Sequence, residues 1–238
     1  MGRLSNKIAL ITGASRGIGA AVATRFAAEG AQVILTARTV GGLEAVDDAI
    51  RAAGGLPAVL APLDLRQHDA VDALGAQLFS RFGRLDILVG NAAMLGSLSP
   101  LAHVAPQEME DVFAVNTLAN YRLLRSMDPL LRAAPAGRVV MVTSGATTRP
   151  VAYWGPYAAS KAALEHLTLT YAAETATTAI RTNLIDPGVV ATAMRAQAFP
   201  GEDPARLVAP ETITEWFVRL SETNAPQGSR VVVREPLG

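Results

Sequence analysis

The chain has 238 residues, half of them hydrophobic, with 21 basic against 21 acidic side chains, three His and no Cys. The charge balance, without any block of like charge, gives no support to a nucleic-acid or membrane-surface partner. The missing thiols exclude disulfides, a Cys nucleophile and thiolate metal sites, and His68, His103 and His166 lack ligand spacing, so no metal is expected. The N-terminus passes straight into the apolar run KIALITG (7–13), with no leader-like segment, and no later stretch is apolar enough to span a bilayer. A cytoplasmic protein is expected. Six more short runs follow: AQVILTAR (31–38), LPAVLAPLD (56–64), LDILVGNAA (85–93), GRVVMVTS (137–144), IRTNLIDPG (180–188) and SRVVVRE (229–235). Most are continuous in Val, Ile and Leu rather than alternating, as parallel strands covered on both faces require. Between them lie helical patterns such as VGGLEAVDDAIRAAGG (40–55) and RQHDAVDALGAQLFSRFG (66–83), each closed by Gly. Pro129 predicts a kink or restart in the helical pattern around it. The segment 189–210, with three Pro and a Gly among helical fragments, reads as a surface excursion, a usual place for binding residues. The alternation predicts an α/β fold, a doubly wound parallel sheet of about seven strands flanked by helices. A single domain spans 1–238, with a substrate loop at about 189–210.

The first strand ends in TGASRGIG (12–19) and a helix pattern follows. Gly13, Gly17 and Gly19 let the backbone turn sharply and approach a pyrophosphate, which the helix N-terminus then attracts. Ser15, Arg16 and Ile18 complete that loop. This strand–turn–helix context supports a Rossmann-type dinucleotide site, although the spacing departs from G-x-G-x-x-G. At the end of the second strand, Ala37 stands where an acid for the ribose 2′-OH is expected, and Arg38 follows. Arg16 and Arg38 together suit a 2′-phosphate, so NADP(H) is expected over NAD(H). In GPYAASKAALEHL (155–167), Tyr157 and Lys161 share one helical face at i,i+4. Taken alone, that spacing also fits an amphipathic helix with one exposed Tyr and one solvated Lys.

Together the two motifs resemble the short-chain dehydrogenase/reductase family, of the compact single-domain kind, over essentially the whole chain. Further segments match in order. NAA (Asn91, Ala92, Ala93) resembles the Asn-Ala-Gly after strand four, with Ala93 replacing the usual Gly. Asn116 matches a helix Asn, and Ser144 ends strand five ahead of Tyr157. Asp64 and Leu65 match an adenine-contacting pair, and DPGVVATAM (186–194) matches a nicotinamide-contacting segment that includes Pro187, Gly188, Val190 and Thr192. The resemblance implies Tyr157 as the acid/base of a carbonyl–alcohol redox reaction and Ser144 as the group polarising the carbonyl. It implies that Lys161 holds the nicotinamide ribose and that Asn116 holds a water that relays protons. Free Tyr titrates near about 10. An ammonium about 5 Å away contributes roughly 3 kcal/mol at an effective dielectric of 20, so Lys161 is expected to lower Tyr157 by roughly 2 units.

The expected activity is therefore NADP(H)-dependent interconversion of a ketone or aldehyde with its alcohol. Met94, Ala146, Trp154, Val189 and Met194 are the candidate pocket residues, and they favour a small apolar or aromatic carbonyl or alcohol substrate. Two alternatives stay open: reduction of a 3-oxoacyl group on an acyl carrier protein, and a non-enzymatic NADP(H) sensor. The resemblance implies a homodimer or homotetramer through a four-helix bundle of the Asn116 and Tyr157 helices. Ala158, Ala159, Ala162 and Ala163 would allow close approach there, or pack against the chain's own sheet. The C-terminal REPLG (234–238) departs from a family tail that packs across a subunit contact.

Overall fold

The computed structural model describes residues 2–233. Seven strands form one parallel sheet: β1 (Ile8–Thr12), β2 (Gln32–Thr36), β3 (Val59–Leu60), β4 (Ile87–Gly90), β5 (Arg138–Val142), β6 (Arg181–Asp186) and β7 (Arg230–Val232). Their order is β3-β2-β1-β4-β5-β6-β7, with every pair parallel. The main helices are α1 (Gly17–Ala28), α2 (Val40–Ala52), α3 (His68–Phe82), α4 (Pro106–Phe113), α5 (Ala119–Ala133), α6 (Gly155–Glu174), α7 (Ala193–Ala198) and α8 (Thr214–Ser221).

The continuous apolar runs are explained by two cores. Ala9 and Ile11 of β1, Val33 and Leu35 of β2, and Val140 and Val142 of β5 face one core with Phe26, Leu43 and Phe217 from the helices. The intervening Leu10, Ile34, Val139 and Met141 face the other, against Leu74, Leu123, Met127 and Leu164. Because side chains alternate across a strand, a sheet covered on both faces needs an apolar residue at every position. Burying each such side chain contributes about 1.5–3 kcal/mol.

Two expectations are corrected. The third strand is regular only at Val59–Leu60, short of 56–64: beyond it the Ala61 and Leu63 N–H groups still donate to the Leu35 and Ala37 carbonyls at 2.9 and 3.0 Å, while Pro62 between them breaks the regular pattern on the open edge. Pro129 neither ends nor restarts its helix: α5 runs through it, held by the buried Leu123, Leu124, Met127, Leu130 and Leu131. The irregularity lies upstream instead, as a π-helical turn at Ala114–Leu118 that contains Asn116. Such turns gather at functional sites. The last strand is described to Val232, so its expected extension to 235 and the REPLG tail lie outside the described residues.

The chain order reverses at β1, which has β2 on one side and β4 on the other. A crevice opens beyond the strand ends at such a switch point.

Candidate active site

The crevice is one cleft of about 1370 Å³ that runs from the β1–α1 turn to the start of α6. At its phosphate end, Gly13 (φ 65°) and Gly17 (φ 56°) adopt left-handed backbone. A Cβ on Gly19 would stand 2.2 Å from the Gly13 carbonyl oxygen, so only Gly lets the turn fold onto the helix. The N-cap, Arg16, places no side chain on the first N–H groups of α1. Those groups and the helix dipole are available to an anion. Thr12 latches β1 to β4: its hydroxyl accepts from the Asn91 and Ala92 N–H groups at 2.9 and 3.0 Å and donates to the Val89 carbonyl. The Asn91 side chain donates back to the Thr12 carbonyl at 2.9 Å. The expected role of Asn91 thus begins with holding the cradle open.

Ser15, Arg16, Ile18, Arg38, Leu65, Ala92 and Ala93 all line the cleft, whereas Gly19 lies beneath it as packing. Arg16 and Arg38 are exposed and form no ion pair among the described residues, and no carboxylate stands at Ala37. Asp64 is also in the lining, but its carboxylate is held by Arg66, with Nη2 to Oδ2 at 2.7 Å and Nε to both oxygens. The Arg66 hydrogen bonds hold the Asp64 carboxyl below the usual carboxylate range, and the charge of Arg38 adds to this. Sequence reasoning passed over Arg66, although it directly follows the Asp64–Leu65 pair. Across the cleft, Thr192 caps α7, and its methyl would stand 3.4 Å from a Cβ on Gly17. Val190 pairs with Val208, and Gly188 (φ 71°) turns the chain after Pro187.

At the other end Ser144, Tyr157 and Lys161 come together, from the end of β5 and the first turns of α6. Pro156 stands in the first turn of α6, where its missing N–H costs nothing. Tyr157 is 7% exposed and Lys161 1% exposed, so neither is the solvated residue of a plain amphipathic face. The electrostatics differ from the expectation. Burial pushes the Tyr157 phenol above its ordinary value; the Ser144 side chain pulls it back and the charge of Asp186 pushes it further up. Lys161 does not supply the expected lowering. Its Nζ donates to the Val142 carbonyl at 2.7 Å, and burial lowers its own pKa to about 8, against a smaller opposing pull from Glu165. Desolvation is the largest influence on both groups at this site.

Asn116 is fully buried and is not in the cleft lining. Its Nδ2 donates to the Met94 carbonyl and to Ser160 Oγ, both at 2.9 Å, and its Oδ1 accepts from the Met94 N–H at 2.7 Å. Both amide protons are thus committed, and Asn116 pins the main chain of a pocket residue. Of the candidate pocket residues, Met94, Trp154 and Met194 line the cleft; Ala146 and Val189 do not, and Val189 points outward at 47% exposure. Phe199 and Leu207 join the wall. Trp154 packs edge-on against Tyr157 at 5.9 Å and lies 6.0 Å from Phe199. Arg195 sits over the Phe199 ring at 3.7 Å and is neutralised by Glu202. Among the described residues no helix is long and apolar enough to cross a membrane, and no cluster of metal-ligating side chains occurs.

Residues 7–203 match the family model for short chain dehydrogenases. The chain is 36% identical over 219 residues to the uncharacterized oxidoreductase YciK of Escherichia coli, covering 91% of this chain and 86% of that protein. It is 32% identical over 230 residues to a benzil reductase ((S)-benzoin forming) of Saccharomyces cerevisiae, covering 92% of this chain and 84% of the other. A short chain dehydrogenase structure from Escherichia coli CFT073, complexed with NADPH, superposes with a TM-score of 0.94 at 34% identity, over 98% of each chain.

Proposed function

The chain belongs to the short-chain dehydrogenase family of oxidoreductases, and from that premise we propose that it uses NADP(H) to interconvert an apolar or aromatic ketone or aldehyde with its alcohol. The observation that carries this reading is the single cleft, with two unpaired guanidinium groups at one end and Ser144, Tyr157 and Lys161 at the other. The glycine cradle fits a pyrophosphate, since its backbone approach at Gly19 leaves no room for a side chain. Arg16 and Arg38 would hold the 2′-phosphate, and Leu65 would cover the adenine. The related structure with NADPH supports the same cofactor here.

When bound, the reduced cofactor supplies a hydride to the carbonyl carbon. Tyr157 supplies the proton to the carbonyl oxygen. Its raised pKa keeps the phenol protonated at neutral pH, which suits reduction; alcohol oxidation needs the phenolate and rises toward alkaline pH. Ser144 donates to the developing oxyanion and fixes its position. Lys161, whose Nζ donates to the Val142 carbonyl, would hold the nicotinamide ribose and would set a cation beside the phenolate that proton transfer leaves behind. Asn116 supports the pocket by holding Met94; a relay water would have to use the oxygens of Asn116, since its amide protons are committed.

The substrate end favours an uncharged, apolar molecule. Met94, Trp154, Phe199 and Leu207 wall it, and Arg195 is cancelled by Glu202. The yeast relative named as a benzil reductase supports an aromatic ketone or diketone. Ala159, Ala162 and Leu169 on α6, with Tyr121 on α5 and Leu118 just before it, remain uncovered within the chain and suit pairing with a second copy. The test is NADPH consumption at neutral pH against aromatic ketones, diketones, aldehydes and 3-oxo esters, with NADH in parallel. Turnover of aromatic ketones with NADPH and little with NADH supports the reading. Equal use of NADH removes Arg16 and Arg38 from the 2′-phosphate site.

A further inference from the structure

Behind the Ser144 turn lies a cluster of charge that the proposed chemistry does not use. Arg230, from β7, reaches under it. Its Nε donates to Glu165 Oε1 at 3.0 Å, and its Nη2 donates to Asp186 Oδ2 at 3.0 Å and to the Ser144 carbonyl at 3.2 Å. Glu165 Oε1 also accepts from the hydroxyls of Thr143 at 2.6 Å and Thr147 at 2.9 Å. Asp186 is only 6% exposed at its side chain; its other oxygen accepts from the Gly188 N–H at 3.2 Å. One guanidinium therefore ties the end of β5, the turn after it, α6 and the β6 end that leads into Pro187 and Gly188.

Such a cluster is expensive to build and must earn its place by position. A buried carboxylate without a cation is strongly unfavourable, so Asp186 needs Arg230. Glu165 lies four residues after Lys161 and eight after Tyr157, on their face of α6. The planar fork of Arg bridges two carboxylates and a carbonyl at once, which a Lys ammonium cannot reproduce. The geometry points to Arg230 as a positioning residue: it fixes where the Ser144 hydroxyl stands and neutralises Asp186 beside the Tyr157 phenol. This rests on the oxidoreductase reading for its consequence in turnover, but not for its effect on Tyr157.

The charged and titratable groups around the phenol are Lys161 and Glu165 on α6, Asp186 on β6 and Arg230 on β7, and the Ser144 hydroxyl after β5 adds a neutral hydrogen bond. The negative charge of Asp186 already pushes Tyr157 upward with Arg230 in place. Removing the guanidinium leaves that charge uncompensated, so the Tyr157 titration moves to higher pH. Replacing Asp186 by Asn removes the cause.

The test follows the Tyr157 ring resonance against pH in protein labelled with 13C at tyrosine Cζ, assigned by its loss in Tyr157→Phe. Arg230→Met should raise the midpoint by about half a unit or more, and Arg230→Met with Asp186→Asn should bring it back to the wild-type position or below. Arg230→Lys keeps the charge and should leave the midpoint near wild type. In carbonyl reduction, both Arg230→Lys and Arg230→Met should lower kcat about tenfold or more with KM for NADPH changed less than about threefold, since both disturb the Ser144 geometry and leave the cofactor end untouched; in Arg230→Lys that geometry is the whole cause. Should Arg230→Met not fold, Arg230→Lys decides on kcat, and Asp186→Asn alone must lower the Tyr157 midpoint. An unmoved midpoint in Arg230→Met, or in Asp186→Asn, overturns the proposal, as does wild-type kcat in Arg230→Lys. Inactivity of the wild type on every carbonyl tested would count against the oxidoreductase reading instead, because the titration needs no turnover.

Discussion

Lys161 brings an ammonium into a site that is 1% exposed, and its hydrogen bond to Val142 does not replace full hydration. Burial lowers its pKa from 10.5 to about 8, so the unfolded chain binds a proton there that the folded chain has given up between those values. Where the unfolded state binds more protons, stability rises with pH. The cost of the buried charge is thus fully present below about pH 8 and is relieved as pH rises toward 10.5. Lys161→Met should therefore raise the thermal midpoint at pH 7, each kcal/mol giving about 2–4 °C in a chain of this size, while lowering turnover by about 10²-fold or more. Calorimetry at pH 7 and pH 10 checks this: the gain should shrink at the higher pH, and a lowered midpoint at pH 7 would mean that the Val142 bond outweighs desolvation. At this scale the sequence was legible where residue type and spacing carry chemistry. Ser144, Tyr157 and Lys161 meet as expected. The direction of the Tyr157 shift was not legible, because burial is a property of the fold. Nor was Arg66, whose claim depends on which way its side chain turns.

Two elements shape the phosphate end, β1 and α1, and the turn between them tolerates no added atom at one place. A methyl on Gly19 would press into the Gly13 carbonyl at 2.2 Å and the Asn91 amide at 2.6 Å. Backbone has nowhere to yield there without opening the Thr12–Asn91 latch. Gly19→Ala should cost about 1–3 kcal/mol of stability and weaken NADPH binding about tenfold or more. Thermal unfolding and calorimetric titration with NADPH measure the two together; wild-type affinity in this variant would show that the cradle is not the pyrophosphate site. Glycine spacing made this turn readable before any coordinates. Other elements resisted. The third strand shrank to Val59–Leu60 between two prolines whose effect on the ladder depends on which edge they face. The π-helical turn around Asn116 has no compositional sign, since one extra residue in a helical turn leaves the apolar pattern almost intact. Pro129 read as a kink or restart, yet no restart occurs, because the buried leucines on either side carry α5 across it.

The whole molecule is a sheet with two apolar faces, and its one order reversal, at β1, opens the cleft. That architecture was legible because continuous Val, Ile and Leu runs admit few other uses. The far wall was not: Phe199 and Leu207 come from a segment whose path no periodicity describes, and only folding brings Phe199 within 6.0 Å of Trp154. The cleft joins an unpaired-arginine end to a buried-phenol end, and the account stands on their serving one reaction. The most direct test compares wild type with Tyr157→Phe, following NADPH loss with an aromatic ketone at neutral pH and NADPH binding by calorimetric titration. The account predicts steady turnover in the wild type, a loss of about 10³-fold or more in the variant, and NADPH affinity within about threefold between them. Turnover in Tyr157→Phe within tenfold of wild type would contradict it, because the proton would then come from a group other than Tyr157.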